Sequence, residues 1–337
     1  MHRLGMFLIV MTAATALAAP IVAPHPADQR FAGLLNAPPT RLHILDADGS
    51  WHAPFIYPWR LASQLEQRYE ADRSRRVPLE WFSSGALVRS NDESAAPLLL
   101  FGADSFGRDV FARLIFGGRT SLALALLAAV GATLVGGLIG GLAGYAGGAL
   151  DDGLMRATDF VMVLPGTYVV LALRSVLPLV LSTGTVFVLL ISIFALVGAP
   201  FIARGVRAIV RSEARREYAS AAHAMGASDA RVLLRHLLPA TRGFVAVEMT
   251  MLVPAFIVAE ATLSYVGLGF PDPVASWGTM LHDAANVSVF ADFPWLMSPA
   301  AAMFLVVLGL NLVLQGRGEG PVRGGPAKAG HYLQMPM

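Results

Sequence analysis

Residues 217–239 read EYASAAHAMGASDARVLLRHLLP, a polar, arginine-flanked island between strongly apolar runs. A segment of that composition sits in water although its neighbours do not. It opens as an alanine-rich helix (Ala219, Ala221, Ala222, Ala224), breaks at Gly226, restarts behind a Ser228 or Asp229 cap and stops at Pro239. The pattern predicts a helix-turn-helix lying outside a membrane, with one small-residue face that another protein can approach closely.

The surrounding composition explains why a membrane is expected. Of 337 residues, 55% are hydrophobic and only 14% charged, and the mean hydropathy is positive, far from a soluble domain. With no cysteine, structural disulfides, thiolate nucleophiles and Cys-ligated zinc are excluded. Lys328 is the sole lysine and stands between Ala327 and Ala329, so the chain has no G-x-x-x-x-G-K-[ST] phosphate cradle. Any ATP that drives it binds to another subunit.

Six apolar runs are expected to cross the bilayer in an all-α, polytopic bundle. The first lies within residues 1–23, where residues 4–23 are long enough to span; its rival reading is a cleaved signal peptide, given the small residues from Ala16 to Pro20. Residues 24–99 turn polar and proline-containing and form an external segment, with a short amphipathic helix over 60–72 flanked by loops or short strands. Asp46, Asp48 and Gly49 lack the remaining ligand positions of a calcium loop and read as a turn. Residues 100–315 hold the membrane domain. Its second span covers 120–142, with Gly136, Gly140 and Gly144 recurring every four residues as a close-packing face. The third, 154–177, is interrupted at Pro165; the fourth covers 184–202; the fifth, 244–266, is interrupted at Pro254; and the sixth covers 296–314. Ahead of the second span, Asp104 or Ser105 is expected to cap a short interfacial helix whose apolar face is Val110, Phe111, Leu114 and Ile115. After Gln315 the Gly- and Pro-rich residues 316–337 read as a disordered tail.

Arginine distribution orients the bundle. The loop 203–243 carries Arg204, Arg207, Arg211, Arg215, Arg216, Arg231, Arg235 and Arg242, whereas 267–295 carries Asp272, Asp283 and Asp292 and no Lys or Arg. The positive-inside rule then puts the arginine loop and both termini in the cytoplasm and residues 24–99 outside. Glu248 and Glu260 fall within the fifth span. Ionisable groups at membrane depth are costly enough to be candidate pathway-lining residues; the competing reading gives Glu248 an arginine partner such as Arg242 and Glu260 a hydrogen bond to a neighbouring helix.

At three places the chain resembles a known family. The island of 217–239 is similar to the cytoplasmic loop of bacterial ATP-binding-cassette importer permeases, with Ala221, Ala222, Gly226, Leu238 and Pro239 matching and Ser220 standing where the family has Glu. Glu217 lies three residues earlier. The run LFGADSFGRDVFARLIFGGRTSL (100–122) resembles the segment before the second span of C-type subunits of dipeptide, oligopeptide and nickel importers, through Gly102, Asp104, Gly107, Arg108, Asp109, Arg113, Gly117, Arg119 and Ser121. EATLSYVGLGFPDPVASWGTML (260–281) and DDGLMRATDFVMVLPG (151–166) are similar to later family segments. The resemblance ends near Gln315.

It implies the type I permease fold of such importers and one half of a passage in the bacterial inner membrane. A second permease subunit completes a heterodimer, two ATPase subunits bind ATP and magnesium, and an external solute-binding protein delivers the solute. In that picture Glu217, Ser220, Ala221, Ala222, Gly226, Leu238 and Pro239 couple to the ATPase, and the 102–113 motif anchors the second span instead of touching solute. The chain itself holds no catalytic residue, metal or cofactor and has no nucleic-acid partner, while lipid surrounds it. Peptide, nickel or another solute is open on these motifs. A secondary transporter would place broken helices in two symmetric repeats, and no such repeat is visible; an intramembrane hydrolase would need a nucleophile–base pair or H-E-x-x-H at depth, and His223 and His236 lie in the polar loop.

Overall fold

The computed structural model describes residues 1–46, 49–83, 85–176, 181–285 and 292–318. Helix α1 (His2–Leu17) continues through a short α2 (Ala19–Val22) with Pro20 in its first turn, where the missing N–H of proline costs nothing. Among the described residues four helical stretches are long and apolar enough to cross a membrane: Val110–Ala146, Thr183–Glu213, Asp229–Tyr265 and Pro294–Gln315. The α1–α2 run and the broken pair α4 (Gly148–Val163) and α5 (Gly166–Val176) occupy the two remaining places in the expected order.

Residues 24–99 carry the expected short strands on either side of 60–72 but not the helix between them. Strands β1 (His43–Leu45), β2 (Trp51–Ile56), β5 (Val77–Trp81) and β6 (Val88–Ser90) form an antiparallel sheet in the order β1-β2-β5-β6. The stretch read as an amphipathic helix over 60–72 is the hairpin β3 (Trp59–Ser63) and β4 (Arg68–Ala71). Helix-forming residues lose here to cross-strand pairing: Leu61 faces Tyr69 and Trp59 faces Ala71, and the Tyr69 hydroxyl donates to Leu35 O at 2.7 Å. Alternation of Trp59, Leu61 and Ser63 carried that signal. Of the turn read at 46–49, Asp48 lies outside the described residues; Gly49 N donates to Asp46 O at 3.0 Å and Gly49 holds φ +82°.

The bundle is built around α3 (Val110–Ala146), a single helix in which the expected interfacial segment and second span are continuous. Its cap is Asp109, which accepts from Phe111 N at 2.9 Å, not Asp104 or Ser105. Against it lies α6 (Thr183–Glu213). The glycine spacing predicts this contact correctly: a Cβ on Gly144 would sit 2.6 Å from Arg207 O, and Gly136 and Gly140 meet the carbonyls of Ala199 and Ala203 at least as closely. Only glycine lets the two backbones approach so near in an apolar solvent. Leu124, Ala128 and Ala132 of α3 share the core with Leu190 and Phe194 of α6.

After α7 (Glu217–Ala224) and α8 (Asp229–Val232), the chain does not stop at Pro239. It passes through a π turn (Leu233–Leu237) and a 3-10 turn (Leu238–Thr241) directly into α9 (Arg242–Tyr265). Pro239 sits in the first turn of the 3-10 segment, where its lack of an N–H is tolerated. Nor does Pro254 interrupt α9. Helix α10 (Trp277–Asp283) and α11 (Ser298–Gly318) complete the bundle; the tail 319–337 lies outside the described residues. Gly5 of α1 packs on Gly309 of α11, a Cβ there falling 2.6 Å from Gly309 O. The bundle thus has a sheet end, holding 24–109 and α10, and an arginine end, holding α7 and α8.

Candidate functional site

At the arginine end, α7 is amphipathic on a small scale. Ala219 and Ala222 are buried and join the core with Val232, Leu233 and Leu237, while Glu217, Ser220, Ala221 and Ala224 are exposed. Spacing of three and four residues puts the exposed set on one helical strip. Of the sequence-predicted residues, Glu217, Ser220, Ala221 and Gly226 therefore face out, Ala222 faces in, and Leu238 and Pro239 are half-buried. Gly226 holds φ +84° with open space about it, and the turn is closed by Ala227 N donating to Ala222 O at 3.1 Å. Such a left-handed residue ends the helix at little cost only when it is glycine.

Two polar ties fix this end to the bundle. The Tyr145 hydroxyl, at the end of α3, donates to Asp229 Oδ1 at 2.7 Å and lies 3.1 Å from His223 Nε2, so α3 holds both sides of the glycine turn. Asp151 of α4, 3% exposed, accepts from Arg207 Nη2 at 2.6 Å and Arg211 Nη1 at 3.4 Å. The hydrogen bond from Arg207 holds the Asp151 carboxyl below its ordinary range. Arg204 pairs with Asp159. Some of the loop's arginine bias thus ties the helices to one another.

At the sheet end, the 102–113 motif forms a buried charge cluster. Arg108 is fully buried and donates through Nε to Asp104, Nη1 to Asp272 and Nη2 to Asp283, each at 2.7 Å. Its Cζ lies 4.4 Å from the Phe106 ring centre. Burial opposes its charge, but Asp104, Asp283 and Asp272 together raise its pKa above the ordinary guanidinium value. For Asp283 burial is the larger effect and pushes its carboxyl up, against the pull of Arg108 and Arg113. Asp104 also accepts from Phe106 N and Arg108 N, both at 2.9 Å. Arg113 reaches Asp283 at 3.5 Å and Ala27 O at 3.4 Å. Asp109, besides capping α3, bonds His25 Nδ1 at 2.9 Å. Gly102 and Gly107, both at φ +74°, let this loop touch the backbones of Ala37 and Phe31. The motif is more than a helix anchor: it locks 25–37, 102–113 and the 272–283 connection into one block.

The two acidic residues of α9 part company. Glu260 is fully buried and accepts from the hydroxyls of Ser121 (3.0 Å), Ser264 (2.7 Å) and Ser276 (2.7 Å). It joins α3, α9 and the start of α10, and Trp277 N donates to Ser121 Oγ at 3.1 Å beside it. Glu260 thus makes the hydrogen bond to a neighbouring helix that the competing reading expected, through Ser121 of α3. Glu248 instead lines a cavity of about 400 Å³ between α5, α6 and α9, with Phe194, Phe201, Met251 and Phe256 among its walls. Sequence reasoning missed His25, Tyr145, Ser276 and Trp277 as functional partners. The last two stood inside the S-W-G of the 260–281 segment, which was the signal available; His25 and Tyr145 had none, because their partners lie 84 residues away in each case.

Comparison with known proteins follows the same lines. Residues 136–316 match the family described as binding-protein-dependent transport system inner membrane component. Over 217 residues the chain is 38% identical to a Brucella ovis protein named as a peptide permease, covering 64% of this chain and 70% of that one. It is 37% identical over 217 residues to the oligopeptide transport system permease protein OppC of Bacillus subtilis, covering 64% and 68%. A structure of the MetNI methionine ABC transporter in inward-facing conformations overlays with a TM-score of 0.46 at 17% identity, covering 61% of this chain and 96% of that one. The family match spans more than half of the sequence and takes in the glycine face of α3, the arginine end, and Glu260 with Ser264 and Ser276: this chain belongs to the binding-protein-dependent transport system inner membrane components.

Proposed function

We propose that the chain is the transmembrane subunit of an ATP-driven importer of peptides, forming half of the passage beside a second permease subunit. Two ATPase subunits dock at the arginine end, which faces the cytoplasm with both termini, and an external solute-binding protein docks at the sheet end. The observation that carries this reading is the exposed strip Glu217, Ser220, Ala221 and Ala224 on a helix whose other face is buried through Ala219 and Ala222. A short helix with small outward side chains can enter a groove on a partner and be held rigidly by its own bundle. Leu238 and Pro239 then join that helix to α9, so displacement at the strip reaches the walls of the Glu248 cavity. Closure of the ATPase pair biases one of two arrangements of the spans, and loaded binding protein biases the same equilibrium from the other side. Peptide as the solute rests on what the two relatives are named for.

The test is co-expression with the neighbouring permease, ATPase and binding-protein genes and purification through a tag on this chain. Peptide-stimulated ATP hydrolysis is expected in liposomes. Ala221→Trp should abolish that stimulation while leaving membrane insertion and pairing with the second permease intact. If no ATPase co-purifies, or if Ala221→Trp hydrolyses ATP with full stimulation, the coupling assignment is wrong. Stimulation by a different solute class, with none by peptides, would overturn the substrate alone.

A further inference from the structure

We infer that the β5–β6 hairpin is a membrane-surface anchor, with Trp81 and Phe82 seated in the boundary between lipid headgroups and acyl chains. The argument starts from helix length. Helices α1 and α2 run from His2 to Val22 with one break at Ala18, and at about 1.5 Å per residue such a run covers the ~30 Å hydrocarbon thickness once. Ile21 consequently marks the boundary at the sheet end. Its outward face is lipid-facing: Leu4, Phe7, Val10, Leu17 and Ile21 are all more than half exposed, whereas the opposite face packs through Gly5 on α11.

The hairpin is fastened at that depth. Leu87 N donates to Ile21 O at 2.7 Å, and Phe82 N donates to Leu87 O at 3.0 Å. Arg89 Nε donates to Pro24 O at 2.9 Å. Trp81 pairs with Val88 across the strands. Two backbone hydrogen bonds therefore separate Phe82 from the last turn of the first membrane run. At this level Trp81 is 56% and Phe82 79% exposed, two large apolar side chains left open beside the end of the exposed strip at Ile21. Aromatic rings with one apolar and one wet environment concentrate at this depth of a bilayer. The occupant of the exposed rings is lipid, and the anchor sets the tilt of the outer sheet against the membrane plane. This inference depends on the membrane crossing of α1–α2 and not on the solute or on the ATPase.

The absence of cysteine makes the experiment clean. Phe82→Cys and, separately, Trp81→Cys are spin-labelled in the full chain within its complex in phospholipid nanodiscs. Collision rates with oxygen and with a water-soluble nickel chelate are then compared. Arg73→Cys is the reference, because it precedes β5 and lies at the strand end remote from Trp81. Labels at 81 and 82 should favour oxygen over the chelate several-fold relative to position 73. Equal preference at all three positions would overturn the anchor in favour of a water-exposed tip. Protection from both reagents at 81 and 82, with immobile spectra, would overturn it in favour of a protein partner.

Discussion

Replacing Glu260 by alanine separates a structural joint from a passage-lining acid. The wild-type carboxylate receives hydroxyls from Ser121, Ser264 and Ser276, and a hydrogen bond to a charged group contributes about 1.5–3 kcal/mol. Summing three such bonds overstates the loss, because burying a carboxylate costs several kcal/mol in return, of order ~5. After substitution, Ser264 is placed one helical turn beyond residue 260 and can bond its carbonyl, and Ser276 retains Thr279 at 3.4 Å. Ser121 alone is left with an unused donor, a loss of about 1–3 kcal/mol. The vacated volume adds about 1 kcal/mol at ~24 cal/mol per Å³. The net expectation is a loss of about 2–4 kcal/mol, built from a stranded hydroxyl and a cavity. Glu260→Gln keeps the volume but turns an amide donor toward hydroxyl donors, and should fall between. The assay is the unfolding midpoint in detergent, read with transport in liposomes. If Glu260→Ala unfolds with the parent protein while transport is lost, the side chain acts in the passage and the joint described above is wrong.

Three further outcomes are expected. Gly140→Leu should prevent the α3–α6 approach at the Ala203 carbonyl and lower stability by about 1–3 kcal/mol or more, whereas Gly137→Leu, which meets nothing within 4 Å, should be near neutral; equal effects in thermal melts would dismiss the glycine face. Arg108→Ala leaves the buried Asp104 and the mostly buried Asp283 to Arg113 alone, at 3.6 and 3.5 Å, while the exposed Asp272 keeps Arg30, and should cost about 3 kcal/mol, the low end for a broken buried pair, with Arg108→Lys recovering only part because one ammonium cannot span three carboxylates in the same geometry. Because the folded Asp151 carboxyl is held below its unfolded value, its contribution should be full above the unfolded pKa near ~4 and be lost as pH falls through the lower folded value; Asp151→Asn should flatten that acid limb in pH-dependent melts, and an unchanged limb would dismiss the pair as its source.

What the sequence made legible follows from the range of the physics involved. Four of the six expected spans, the α3 glycine face and the polar loop with its Gly226 break are local signals of hydropathy and spacing, and the structure has a long apolar helix at each of those four, though two of them start about ten or more residues earlier than hydropathy alone put them. The hairpin over 59–71 was missed because its residues suit a helix and the pairing of Leu61 with Tyr69 is tertiary. The stop expected at Pro239 was missed because a proline in the first turn of a 3-10 segment needs no N–H. For the site, local spacing identified the strip of α7 and the acids of α9. It could not tell that Ala222 turns inward, or that Glu260 meets Ser121 from 139 residues away. The charge cluster was legible as a motif but not as a lock, since Asp272 and Asp283 lie 164 and 175 residues from Arg108.

The glycine seam between α3 and α6 also decides where the molecule can give way. Backbones in contact with no side chains between them have no slack to rotate or slide, so these two helices move as a single plate. With Asp151 clasping Arg207 and Arg211, the start of α4 is riveted to that plate as well. Compliance is left to the seam around Glu248, where α5 and α9 face α6 across open space. Movement in this chain would therefore be a hinge about α9, through its continuous extension in the π and 3-10 turns, against the α3–α6 wall.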